Sequence, residues 1–208
     1  MRLLSLLLLV LSLPAPAHAS ELWVLVTTPG GKPVANAVVT VRPQAGLPRT
    51  PIRFSWAYRM AQQDMTFDPF VLIVPAGAEV AFPNLDPVRH HVYSFSPAKT
   101  FELKLYGRDE TRKVRFDKPG NVAVGCNIHD DMSGFIRVVD TPYAAKTGAN
   151  GQAVIRDLPA GAATLTLWHP YARARGGETV QQVTAPADGQ FRLTLSADLR
   201  SPPMRHGY

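Results

Sequence analysis

One cysteine stands in the 208 residues, so no internal disulfide framework can hold the chain together. Nor is there a long apolar run. The longest block, Leu3 to Leu13, falls well short of the roughly 20 residues that span a bilayer. Charged residues make up only 18% of the chain, with 22 basic against 16 acidic side chains and a formal net charge of +6. They are scattered and are not interleaved with aromatics, which argues against a nucleic-acid partner. Sustained helical periodicity is missing as well. Nineteen prolines and fifteen glycines lie among short Val-rich runs, the pattern of many turns and short strands, so the expected class is all-β. A hydrophobic content of 46% is enough for one or two packed cores and excludes a disordered chain.

What is present begins with a leader pattern. Met1 to Ala19 has a basic start at Arg2, the apolar block, and a small-residue end at Ala17-His-Ala19. This predicts a secretory signal cut before Ser20 and an exported, periplasmic protein without a transmembrane segment, expected as a monomer. Export makes the lone cysteine conspicuous, because an unoccupied thiol is a liability in an oxidising compartment. An intermolecular disulfide or an inert buried thiol would account for Cys126, but its neighbours favour metal ligation. The basic surplus fits an acidic protein partner.

Those neighbours lie in Val122-Ala-Val-Gly-Cys126-Asn-Ile-His129-Asp-Asp-Met132-Ser-Gly-Phe-Ile-Arg-Val-Val139, read as strand, loop, strand. A thiolate, an imidazole and a thioether in one loop form a soft donor set, which suits copper rather than calcium or magnesium. A mononuclear blue-copper site takes two imidazoles and a thiolate with a weak axial thioether. The loop therefore lacks one imidazole, and His90 or His91, leading onto the strand Val92 to Phe95, can supply it. Taken singly, Met132 reads as core packing and His129 as a surface residue; the spacing to Cys126 is what joins them. His169 and His206 read as structural or surface histidines.

Asn84-x-Asp86-x-x-x-His90-x-Val92, followed by Phe116-Asp-x-Pro-Gly120-x-x-x-x-Gly125-Cys126-x-x-His129-x-x-Met132-x-Gly134, resembles the cupredoxins, with amicyanin-like ligand spacing. The wording His-Val-Tyr-Ser-Phe-Ser and Cys-Asn-Ile-His-Asp-x-Met is most similar to the exported cupredoxin-like methylamine-utilisation proteins. The resemblance implies a Greek-key β-sandwich and one type 1 copper ion held by His90, Cys126, His129 and Met132. It further implies one-electron transfer between redox protein partners, with His129 as the exit route and no catalysis. His91, Asn84 and Asp131 are expected beside the ligands, as supporting groups or alternative donors. Asp130 and Asp131 depart from the usual loop and are expected to lower the reduction potential. The rival functions are a copper-holding or delivery protein and a structural interaction module with a vestigial site.

Two further segments resemble the halves of a carboxypeptidase-regulatory-like β-sandwich: Val24-x-Val26 through Gly30-Gly-x-Pro33 to Val41, and Ala145-x-Thr-Gly-x-x-Gly151 through Leu158-Pro-x-Gly161 to Leu165. About a hundred residues separate them, so the metal segment is expected as an insertion. The expected division is signal 1–19, first sandwich part 20–43, linker 44–63, copper domain 64–140, second sandwich part 141–197 and a loose tail 198–208. Within it, Leu22–Thr27 and Ala35–Arg42 are expected as a hairpin, as are Gly151–Arg156 and Thr164–Trp168, and Phe67–Val74 as one strand. Ile52–Met60 reads as a linking loop or a short edge strand.

Overall fold

Alternation of buried and open side chains, the mark of a strand with one face on a core, runs through most of the chain. In the computed structural model, which describes residues 20–187 and 189–201, it produces sixteen strands. They are β1 (Ser20–Thr27), β2 (Val38–Pro43), β3 (Ala61–Gln63), β4 (Thr66–Asp68), β5 (Val71–Pro75), β6 (Ala78–Pro83), β7 (His90–Ser96) and β8 (Lys99–Tyr106). The second half carries β9 (Thr111–Phe116), β10 (Gly120–Cys126), β11 (Ser133–Val139), β12 (Ala144–Lys146), β13 (Gln152–Leu158), β14 (Gly161–Trp168), β15 (Glu178–Ala185) and β16 (Gln190–Ser196). No α-helix occurs among the described residues, and none of their helices is long and apolar enough to cross a membrane. The expected leader, Met1 to Ala19, and His206 lie outside the described residues.

The fold is all-β, with one sandwich built from the middle of the chain and a second, smaller one made from the flanking segments. In the first, a five-stranded sheet of order β5-β11-β10-β7-β8 shares one core with the pair β6-β9 and the hairpin β3-β4. Phe82, Val92, Phe116, Val122 and Ile136, all 0% exposed, are at its centre. In the second, the sheets β13-β1-β16 and β12-β2-β14-β15 close on Leu22, Val39, Leu158 and Leu165. A third apolar cluster, with Val38, Ile73, Val139 and Trp168 fully buried and Phe135 packed against them, joins the two bodies. Arg137 on β11 reinforces the junction with a 2.6 Å ion pair to Glu178 on β15.

Several local expectations are corrected. β1 and β2 are not a hairpin. β1 is flanked by β13 and, in parallel, by β16, while β2 pairs with β12 and β14 in the opposite sheet. β13 and β14 are likewise in different sheets. A short turn permits a hairpin, but each of these strands has one apolar face, and placing consecutive strands in opposite sheets lets both faces close on one core. The run Phe67–Val74 divides into β4 and β5 at Pro69, which has no N–H for a ladder. β15 was hidden because it is an edge strand of largely open, polar residues. Residues 61–63, expected in a linker, form β3, and the start of the expected loose tail is tied down: Arg173 N–H donates to Asp198 O (2.9 Å) and Arg200 N–H to Tyr171 O (2.8 Å).

Candidate metal centre

β7 opens on two histidines, and successive strand residues face opposite ways. His90 turns inward, 0% exposed, whereas the His91 ring lies on the other face, 2.8 Å from a Glu102 carboxylate oxygen. β10 ends at Cys126 and β11 begins at Ser133, so residues 127–132 form the connecting loop. Its closure is local: Cys126 N–H donates to Met132 O (3.3 Å) and Met132 N–H to His129 O (3.0 Å). Just beyond, Gly134 has no side chain because a Cβ there would meet Phe67 Cβ at 2.8 Å, which lets β4 pack close behind the loop.

These placements bring His90 Nδ1 to 3.7 Å and His129 Nδ1 to 3.8 Å from Cys126 Sγ. All three donor atoms lie within 4.8 Å of one another. Donors that each sit about 2.0–2.3 Å from a shared ion are separated by about this much, so the triad has the dimensions of a metal site.

Asp86 is a group that the sequence reading passed over, although it stands in the Asn84-x-Asp86-x-x-x-His90 motif. Buried at 5% exposure, its carboxylate takes three hydrogen bonds: from Asp64 N–H (2.7 Å), Met65 N–H (3.1 Å) and His90 Nε2 (2.7 Å). Asp64 and Met65 both have φ near 52° and form the two-residue turn of the β3-β4 hairpin, the geometry that matches the twist of the strands it joins. By accepting from His90 Nε2, Asp86 fixes the imidazole with its lone pair on Nδ1, toward Cys126. Asn84 in turn holds Asp86: its Oδ1 accepts from Asp86 N–H (2.9 Å), and its Nδ2 donates to Val88 O (2.8 Å) and Tyr106 O (3.1 Å).

Burial pushes the Cys126 thiol up, but its contacts with the His90 ring, the backbone at His91 and Ile128, and the His129 ring outweigh it and bring the pKa down to about 6. Burial pushes His90 the other way, downward, and is overcome by the bonds to Cys126 and Asp86, so its pKa ends raised. The two shifts describe one pair: a thiolate held beside an imidazole that attracts a proton. A thiolate with two imidazole nitrogens at these separations fits a soft, thiophilic metal, copper foremost, and does not fit an oxygen-seeking ion.

Of the remaining expected residues, Met132 is buried at 2% exposure in the core beneath the loop. His91 reaches the site through its backbone at Cys126 rather than through its ring. Asp131 is half-buried in the loop and Asp130 exposed, and neither belongs to the three-donor cluster. His169 lies elsewhere, buried, its Nδ1 accepting from Tyr171 N–H at 3.1 Å.

No family model matches the chain, and no curated protein matches it. Among solved structures it is similar to a purple cupredoxin from Nitrosopumilus maritimus, at 19% identity over 39% of this chain and 98% of that one, with a TM-score of 0.36. It is similar to a reduced amicyanin variant at 16% identity over 48% and 99%, TM-score 0.38. It is also similar to a Cu-containing nitrite reductase from Thermus scotoductus SA-01 at 24% identity and TM-score 0.38, over 56% of this chain but only 28% of the reductase.

Proposed function

We propose that this protein is an exported, periplasmic type 1 copper protein that carries single electrons between redox protein partners. The observation that supports it most is the pair of 3.7 and 3.8 Å separations between Cys126 Sγ and the two Nδ1 atoms, with Asp86 locking His90 from behind. His90, Cys126 and His129 are the equatorial ligands in this reading, and the Met132 thioether is the axial one.

Copper, when bound, supplies a one-electron couple between Cu(I) and Cu(II). The protein's part is to keep its donors still. Cys126 and His90 are fixed by strands β10 and β7, and backbone groups at His91 and Ile128 stabilise the thiolate charge. His129 is the half-buried donor, with Ile128 beside it 46% exposed; together they offer an apolar face through which a partner approaches. Asp130 and Asp131 place negative charge near that face, which favours the more positive metal state. A carrier is favoured over a copper-delivery protein because His90, Cys126 and Met132 are 0, 3 and 2% exposed, too enclosed for ready ligand exchange. Nothing at the site reads an amine, so the likeness to methylamine-utilisation proteins gives no substrate.

The domain division belongs to the same proposal: a metal domain ending near residue 140 is set into a sandwich built from 20–43 and 141–197. Its proposed start is residue 64, and the 0% exposure of Met60 and Gln62, with the Tyr106 hydroxyl donating to Gln62 Oε1 at 2.5 Å, favours including the few residues before it.

The test is to add Cu(II) to the purified protein and record its visible spectrum. An intense sulfur-to-copper charge-transfer band that bleaches on reduction and returns on oxidation is expected. The reading is overturned if the band is absent, or if it survives in Cys126→Ser.

A further inference from the structure

A cavity remote from the Cys126 cluster has no part in the candidate metal centre. It measures about 750 Å³ and opens between the two bodies, walled by β5 on one side and by β12 and β13 on the other, with residues 56–59 along its rim. Sites that hold small organic ligands fall in the range of about 300–1,000 Å³ and combine apolar walls with a few convergent polar groups. Here the lining includes Val71, Leu72 and Ile73 with small alanines opposite, and the charged groups are mostly cationic, Arg59, Lys146 and Arg156 against the single carboxylate of Asp68, beside the neutral amides of Asn150 and Gln152.

Arg156 is already matched, by Glu21 at 2.9 Å. Among the described residues no carboxylate pairs with Arg59 or Lys146 within ion-pair distance. Lys146 Nζ donates to Val71 O at 2.6 Å, which leaves two of its three N–H groups. Burial pushes its pKa down, partly offset by the charge of Asp68, as expected for an ammonium drawn from water without a close counter-ion. With Asp68 set against Lys146, the cavity keeps one positive charge in surplus. The aromatic wall is prepared too. Trp56 donates its indole N–H to Ile73 O (2.8 Å), and Phe54 stacks on it with ring centroids 4.5 Å apart and planes 5° from parallel. One indole face is thus taken while the residue remains 39% exposed.

We propose that this cleft binds a small organic monoanion with a flat apolar body, of the aromatic carboxylate or sulfonate class. The acid group is held by Arg59 and Lys146, and the ring system lies on the β5 wall beside Trp56. Arg presents a planar fork suited to such an oxyanion, and the apolar walls exclude inorganic anions, which have no body to bury. Because both bodies contribute walls, the bound anion bridges them. The proposal does not depend on the metal reading.

The probe is anilinonaphthalenesulfonate, an aromatic monoanion that fluoresces when bound, compared with phenylnaphthylamine, which has the same ring body without the acid. Both are titrated into the purified protein with and without copper. Saturable one-to-one binding of the sulfonate is expected, at least about tenfold tighter than the neutral dye and equal in the two metal states. Arg59→Ala, on the exposed rim, should weaken it at least about fivefold, and Trp56→Leu should also weaken it. The sulfonate should raise the thermal unfolding midpoint, since a ligand of the native state stabilises it. Equal affinity for the two dyes, indifference to both substitutions, or a lowered midpoint, the sign of dye binding to unfolded chain, would each overturn the proposal.

Discussion

The two sandwiches are built from the same kind of strand but differ in what they bury. The flanking one encloses aliphatic side chains such as Leu22, Val26, Leu158 and Leu165, and its buried hydroxyls serve the backbone: Thr147 Oγ1 donates to Val34 O (2.7 Å) and Ser20 Oγ to Leu158 O (3.2 Å). The one that carries the Cys126 cluster encloses Gln62, Asn84, Asp86 and His90, at 0–5% exposure, joined to one another and to Tyr106 by side-chain hydrogen bonds. A buried polar group without partners costs about 1–3 kcal/mol, so such a network persists only where it is fully satisfied. The difference teaches where precision is required: an aliphatic core tolerates sliding, whereas a chain of directional bonds fixes an imidazole in place.

The largest effect should come from the aliphatic side. Leu165→Ala removes a 0% exposed side chain and should cost about 2–5 kcal/mol in denaturant unfolding, with the copper spectrum of the folded protein unchanged. A shifted spectrum would mean that the two bodies are not separable in this way. Asp86→Asn should do the opposite: a smaller loss of stability but about 10–100-fold weaker copper binding by competition titration, because His90 loses the acceptor that sets its tautomer. Equal copper affinity would break the claim that the network serves the site. His90→Ala should abolish the band and His91→Ala leave it, and equal effects would dissolve the strand-face assignment.

Arg137→Met tests the junction. Its guanidinium is mostly buried and bonded to Glu178 and Asn121, yet Glu178 is a third exposed, so a modest loss of about 1–2 kcal/mol is expected by thermal unfolding. The smallest effect is on rate. In the metal-free protein, alkylation of Cys126 should follow a thiolate with a pKa of about 6, nearly level from pH 9 to 7 and falling below 6. The depressed pKa keeps the reactive anion as pH drops, where an ordinary thiol at about 8.5 would already be protonated. A midpoint near 8.5 would show that the hydrogen bonds to sulfur are absent in solution.

Much of this was legible in the residues. The spacing of Cys126, His129 and Met132 marks the loop as a candidate donor set, strand parity allows only one of His90 and His91 to face it, and the His-x-Val register of the resemblance chose His90, which the structure brings to Cys126 and His129. The two flanking segments were joined in the sequence only by their resemblance to the halves of a carboxypeptidase-regulatory-like sandwich, and strands from both lie in the sheets β13-β1-β16 and β12-β2-β14-β15. Asp86 was not legible as a partner of His90, since an acid in a Pro-flanked loop usually faces water; only the Asp64-Met65 turn, folded against it from another hairpin, gives its carboxylate reason to be inside. The β1-β13 and β1-β16 pairings were hidden for a related cause. Alternation states that a strand has a buried face and says nothing of which strand lies beside it.

That last pairing has a consequence for the order of assembly. β1 has its sheet neighbours in β13 and β16, more than a hundred residues later, whereas the strands around the Cys126 cluster follow one another within a single stretch. The inner body can therefore form from contacts close in sequence, whereas the outer sandwich has to bring distant segments together. Closure of the outer sandwich is then the slower step expected from the loop it must close.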